Sequence, residues 1–208
     1  MAPTKRTSDA HEEQLSETPC ESLLADCPGH DVNILKSESW ALNAAYQDIV
    51  SKESQLDNYV KNHAPPEILK LVGMNSRVFG CVAERIVCEI FRLGPRTSTQ
   101  NDGTFQGKKI EVKCARFWSD GDGSDCRWQH LEPEHDYDMA LLVLLDYNGF
   151  QVGAIQKSYL MSELRVRNVV THQGKQGWWT KRSDVLSYLT PIHSIADLEA
   201  FVQLLSLP

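Results

Sequence analysis

Asn101-Asp102-Gly103-Thr104-Phe105-Gln106-Gly107-Lys108-Lys109-Ile110-Glu111-Val112-Lys113 is the stretch on which the reading of this chain turns. Two glycine-containing turn signals frame a short run, and Ile110 to Cys114 then alternates apolar and charged residues as a half-buried strand does. Residues two apart on a strand share a face, so Glu111 and Lys113 project together while Ile110, Val112 and Cys114 face the other way. Asp102 folds back beside these charges. Two carboxylates gathered at one point repel each other unless a cation lies between them, and hard oxygen ligands of this kind suit Mg²⁺. A lysine beside the pair can orient a water or stabilise charge that builds on a phosphate.

Asp102, eight intervening residues and then Glu111-Val112-Lys113 resemble the D…(D/E)-x-K signature of the PD-(D/E)XK nuclease superfamily, with Asn101 where the family name has proline. The resemblance extends over residues 75 to 160. It implies an α/β protein with a restriction endonuclease-like central mixed β-sheet flanked by helices, here with a helical N-terminal extension. It further implies that Asp102 and Glu111 bind metal, with the Val112 carbonyl as a further ligand, and that Lys113 positions the attacking water. The implied cofactor is Mg²⁺, for which Mn²⁺ can substitute. The implied activity is that of a type II restriction-type endonuclease, a homodimer acting on double-stranded DNA. A repair or recombination nuclease and an exonuclease are alternatives on the same fold. A catalytically silent nucleic-acid-binding module and a metal-free structural domain are rivals from other classes.

Upstream, Asn75 or Ser76 can cap a helix that runs to about Leu93 and stops at Gly94-Pro95. At 100° per residue Arg85, Glu89 and Arg92 share a polar strip, whereas Glu84 falls among Gly80, Cys81, Val87, Cys88 and Phe91. A carboxylate on that face needs a partner. One candidate is a salt bridge, for instance to Arg77. The other is the metal site, because the resemblance implies an acid on the helix before the hairpin, which makes Glu84 an auxiliary ligand.

With 208 residues, 41% hydrophobic and 24% charged, the chain has material for one full core. The expected organisation is a flexible segment over residues 1–30 and a single nuclease domain over 31–208. Within that domain we expect a helical part at 31–72, a catalytic core at 73–160 and a basic, helical part at 161–208. No apolar run approaches membrane-spanning length and the N-terminus is polar, so a cytoplasmic or intracellular protein is expected. The six cysteines form no C-x-x-C, which suits reduced thiols, and Cys81 and Cys88 read as small core residues on one helix face. Cys20, Cys27 and His30 lack a fourth ligand.

The net charge of −7 argues at first against a nucleic-acid partner, but it is unevenly placed. Residues 1–66 hold 5 basic and 11 acidic side chains, whereas Lys157 to Arg182 holds six basic residues against Glu163 alone. Arg165, Arg167, Lys175, Lys181 and Arg182 are therefore the candidate contacts to phosphates and base edges. Gln129 is a candidate for the site rim by resemblance, because a Gln-containing polar segment precedes a buried strand. His130 and His135 read as solvated, Asp136 and Asp138 as surface acids, and Ser119–Asp125 as a flexible acidic loop that fails the EF-hand pattern.

Elsewhere the patterns are local. Met139–Leu145 has the length and flanks of a strand buried on both faces, and Phe150–Ile155 can pair with it across Asn148-Gly149. Glu38–His63 is roughly helical and stopped by Pro65-Pro66. Ser158–Leu164, Asp184–Leu189 and Ser194–Leu205 read as helices, and Arg165–Thr180 as irregular or β with Trp178 or Trp179 packed inward.

Overall fold

Strand pairing around Lys108–Arg116 sets the architecture. The computed structural model describes residues 54–118 and 126–206, all of which fall in one compact unit. The expectations for residues 1–30, for the helix from Glu38 to its middle, for Cys20, Cys27 and His30, and for the acidic loop 119–125 lie outside the described residues.

The strands are β1 (Gly103–Phe105), β2 (Lys108–Arg116), β3 (Arg127–Trp128), β4 (Met139–Leu145), β5 (Phe150–Gln156), β6 (Val170–His172), β7 (Trp178–Lys181) and β8 (Thr190–Pro191). The helices are α1 (Gln55–Lys61), α2 (Pro66–Val72), α3 (Ser76–Ile90), α4 (Lys157–Met161), α5 (Glu163–Val166), α6 (Arg182–Val185) and α7 (Ile195–Leu204). Five strands form a mixed sheet in the order β1-β2-β4-β5-β8, in which only β2 and β4 run parallel, with Ile110 opposite Met139. A second, three-stranded sheet has the order β3-β7-β6. The protein is therefore mixed α/β, with helices flanking a mixed five-stranded sheet.

The β1–β2 hairpin closes through Gln106 and Gly107, whose φ angles of 46° and 80° give the double left-handed turn that matches strand twist. Every residue of β4 is buried, as its unbroken apolar run requires. The half-buried reading of β2 is corrected: Ile110, Glu111 and Val112 are all buried, because the sheet is covered on both faces. On one face Ile110, Val112 and Leu141 meet Val87 and Phe91 of α3 and Leu198 and Phe201 of α7. On the other, Leu142 and Leu144 meet Trp128, Leu131, Leu160, Leu164 and Val185. A third cluster of Tyr59, Ile68, Val72, Phe79 and Leu145 seats α1 and α2 against the end of β4.

Asn75 caps α3 by accepting the Val78 N–H at 3.0 Å. The helix ends at Ile90, earlier than Gly94-Pro95 suggests, because Arg92 itself takes the left-handed conformation (φ 52°) and the Leu93 N–H closes onto the Cys88 carbonyl at 2.9 Å. Gly94 instead bridges to Thr104 beside β1. Pro66 likewise opens α2 as its first residue, α1 having already ended at Lys61. Cys88 is half-buried but Cys81 is exposed, since the fully buried positions of α3 are Phe79, Ala83 and Val87. The expected helix over Ser158–Leu164 is broken at Ser162 into α4 and α5, while Trp179 packs inward. Among the described residues no helix is long and apolar enough to cross a membrane.

Candidate active site

β1 is only three residues long and β2 nine, so β2 outruns its neighbour and leaves an open edge from Val112 onward. Asp102 stands at that step. Its amide N–H donates to the Ile110 carbonyl at 2.9 Å, and its Oδ2 accepts the Val112 N–H at 2.7 Å, so a side chain continues the ladder where the strand stops. The N–H and C=O of one strand residue leave on the same edge. The Val112 carbonyl therefore opens toward the side on which Asp102 lies.

Asn101, which sequence reading passed over, fixes this corner. It is 1% exposed; its side-chain amide donates to Thr97 Oγ1, Ser98 Oγ and the Asp136 carbonyl at 3.0–3.2 Å, and its oxygen accepts the Thr97 N–H at 3.1 Å. One amide thus ties the loop after α3 to the segment before β4, with Asp102 held between them.

Glu111 is 4% exposed and bonded to Lys113, its neighbour on the same face of β2. Burial raises the Glu111 carboxyl above its usual range, and Lys113 opposes that rise. Glu84 reaches the same place from α3, which packs on β2. It is hydrogen-bonded to Asp102 and pushed up to about 7, first by burial and then by the field of Asp102, with Lys113 opposing. The ion pair to Arg77 is not its partner; Arg77 is exposed in the first turn of the helix. Three acids, one from α3 and two from β2 and the turn before β1, therefore meet one lysine at the open edge of β2.

This donor set suits a hard divalent cation. Burial and then the field of Asp102 raise the Glu84 carboxyl, and a cation bound there would oppose that rise. Among the described residues no three His, Cys, Asp or Glu side chains stand ready as a cage. Lys113 engages Glu111, and Glu84 lies against Asp102. Mg²⁺ needs no such cage, since it is commonly held by one or two carboxylates and retains water.

The two histidines part company. His130 is exposed as expected, but His135 is half-buried with Nδ1 out of reach of any hydrogen-bond partner, and its field reaches Glu111. Tyr137 is buried nearby, its hydroxyl driven above its ordinary range by burial and then by Glu111. Asp136 and Asp138 are exposed as expected, paired with the Lys109 ammonium at 2.5 Å and the Lys109 N–H at 2.7 Å.

From Lys113 the open edge continues into a cleft of about 470 Å³, lined by Phe79, Arg116, Arg127, Gln129 and His130 among others. Gln129 thus lines the same cleft as Lys113. The basic segment is spread wider: Arg165 stacks on Trp178 at 4.0 Å, Arg167 bonds Tyr188, and Lys175 and Lys181 are exposed on the small sheet and its turn. Arg182 is half-buried and lines a separate, largely apolar cavity with Trp128 and Leu142. No family model and no curated protein matches the chain.

Proposed function

We propose that the protein is a Mg²⁺-dependent endonuclease with a restriction endonuclease-like PD-(D/E)XK core, hydrolysing phosphodiester bonds in double-stranded DNA. The observation that carries this reading is the meeting of Glu84, Asp102 and Glu111 with Lys113 at the open edge of β2. A structural ion-pair network does not need three acids for one cation, and burying the surplus is costly.

Asp102, Glu111 and the Val112 carbonyl would hold the cation, with Glu84 as auxiliary ligand. Bound there, Mg²⁺ or Mn²⁺ supplies charge neutralisation at the phosphate and lowers the pKa of water. Lys113 would orient the attacking water and stabilise the negative charge gathering on phosphorus oxygens. Attack runs in line with the leaving oxygen. Arg165, Arg167, Lys175 and Lys181 contact the duplex, and Gln129 meets it at the rim of the site. Two copies acting as a homodimer would cut both strands in the manner of a type II restriction enzyme.

The test is incubation of plasmid DNA with the protein and Mg²⁺. Discrete fragments are expected, lost on chelation while binding persists. Asp102→Asn and Glu111→Gln should each abolish cleavage without unfolding the protein, and Lys113→Ala should slow the single-turnover rate by about 10²–10³. Cleavage at the unsubstituted rate in either acid variant overturns the site. A smear in place of fragments points to exonucleolytic or repair chemistry on the same site.

A further inference from the structure

Arg127 on β3 and Lys181 on β7 are directly opposite each other in an antiparallel pair, and both are exposed. Like charges facing across a ladder are destabilising. Among the described residues neither side chain forms an ion pair with a carboxylate. The Arg127 guanidinium lies over the Trp179 ring at 4.9 Å. Arg127 also lines the cleft that begins at Lys113. Among the described residues no Asp or Glu lines that cleft, and Arg116 is fixed in its wall by the Val72 and Met74 carbonyls at 2.6 and 2.8 Å.

We infer that Arg127 and Lys181 together form a phosphate subsite, which seats a backbone phosphodiester of the nucleic acid beyond the group cleaved at Lys113. The subsite rests on the nucleic-acid reading of the active site. Its chemistry is that of an oxyanion held between a planar guanidinium and an ammonium, with the cross-strand repulsion relieved on binding. Position sets its role: β3 is an edge strand of the small sheet, and Arg127 shares its cleft with Lys113, so a phosphate held here lies along the cleft from the group at Lys113.

The experiment uses the full chain with divalent metal chelated, a short DNA duplex as one probe and inorganic phosphate as the other. Arg127→Ala and Lys181→Ala should each weaken duplex binding several-fold and make the slope of log K against log salt less negative by about 0.9, the value for one neutralised phosphate on duplex DNA. Arg127→Lys should keep the slope. Phosphate should raise the melting temperature of the unsubstituted protein and not that of the double variant, a readout that loss of Trp179 packing alone would not produce. If the double variant binds DNA with unchanged affinity and slope, the subsite is wrong and Lys181 is no duplex contact, while the catalytic reading at Asp102, Glu111 and Lys113 is untouched. If no duplex binds while phosphate still stabilises the protein through Arg127 and Lys181, the anion site stands and the nucleic-acid reading falls.

Discussion

Glu84 shows what a single buried carboxyl does to the balance of stability. Its proton is held up to about 7, against an ordinary value of 4.5, by burial and by Asp102. Between these two values the folded state binds the proton and the unfolded state does not. Its contribution to stability is therefore greatest below 4.5, declines as pH rises toward 7 and stays low above it. Glu111 acts in the same direction. Thermal unfolding of the chelated protein from about pH 5 to about pH 8 should show this decline, and Glu84→Gln should flatten it and leave the variant more stable at the alkaline end. Mg²⁺ should reverse the order by binding the folded state of the unsubstituted protein more tightly. A variant that is less stable at every pH, with the slope unchanged, would mean that Glu84 serves as an ordinary ion-pair partner.

At the scale of elements, the small sheet depends on one turn. Gly177 closes the β6–β7 connection at φ 64°, ψ −151°, a region that only glycine occupies readily, and an added Cβ would fall 1.8 Å from Glu132 Oε1. Gly177→Ala should cost about 1–3 kcal/mol of stability by chemical denaturation. It should also weaken duplex binding through displaced Lys181 and Arg127 while leaving Mg²⁺ affinity intact; parallel loss of both affinities would tie the two sheets into one unit. The hairpin of β1 and β2, the buried β4 and the cap at Asn75 were legible in the sequence because each is written in neighbouring residues. The convergence of Asp102, Glu111 and Lys113 was legible for the same reason, since one hairpin carries all three. Glu84 could be singled out by its helix face, but its surroundings could not, because a salt bridge to Arg77 and a place at the metal site were both open on paper. Asn101, Tyr137 and the pairing of Arg127 with Lys181 are set by contacts between distant segments, and no local pattern marks them. The burial of Glu111 was hidden likewise, since alternation along β2 says nothing of the second layer that covers its charged face.

For the molecule as a whole, the parallel pairing of β2 with β4 decides when the site exists. The two strands are separated by β3 and the long segment before Met139, so their register is a distant contact that forms slowly compared with the β1–β2 hairpin. The acids then still need α3 to dock, which brings Glu84 to Asp102. Groups that meet only after the main folding barrier alter the unfolding rate and leave the folding rate nearly unchanged. Mg²⁺ should accordingly lengthen the lifetime of the folded protein in denaturant-jump experiments, with little effect on refolding; equal acceleration of refolding would place the acid cluster in the folding nucleus. A chain still being synthesised carries Asp102 and Glu111 well before Met139–Leu145 has been made. Until that strand is laid beside β2, the half-finished protein has its acids but not the sheet that gathers them.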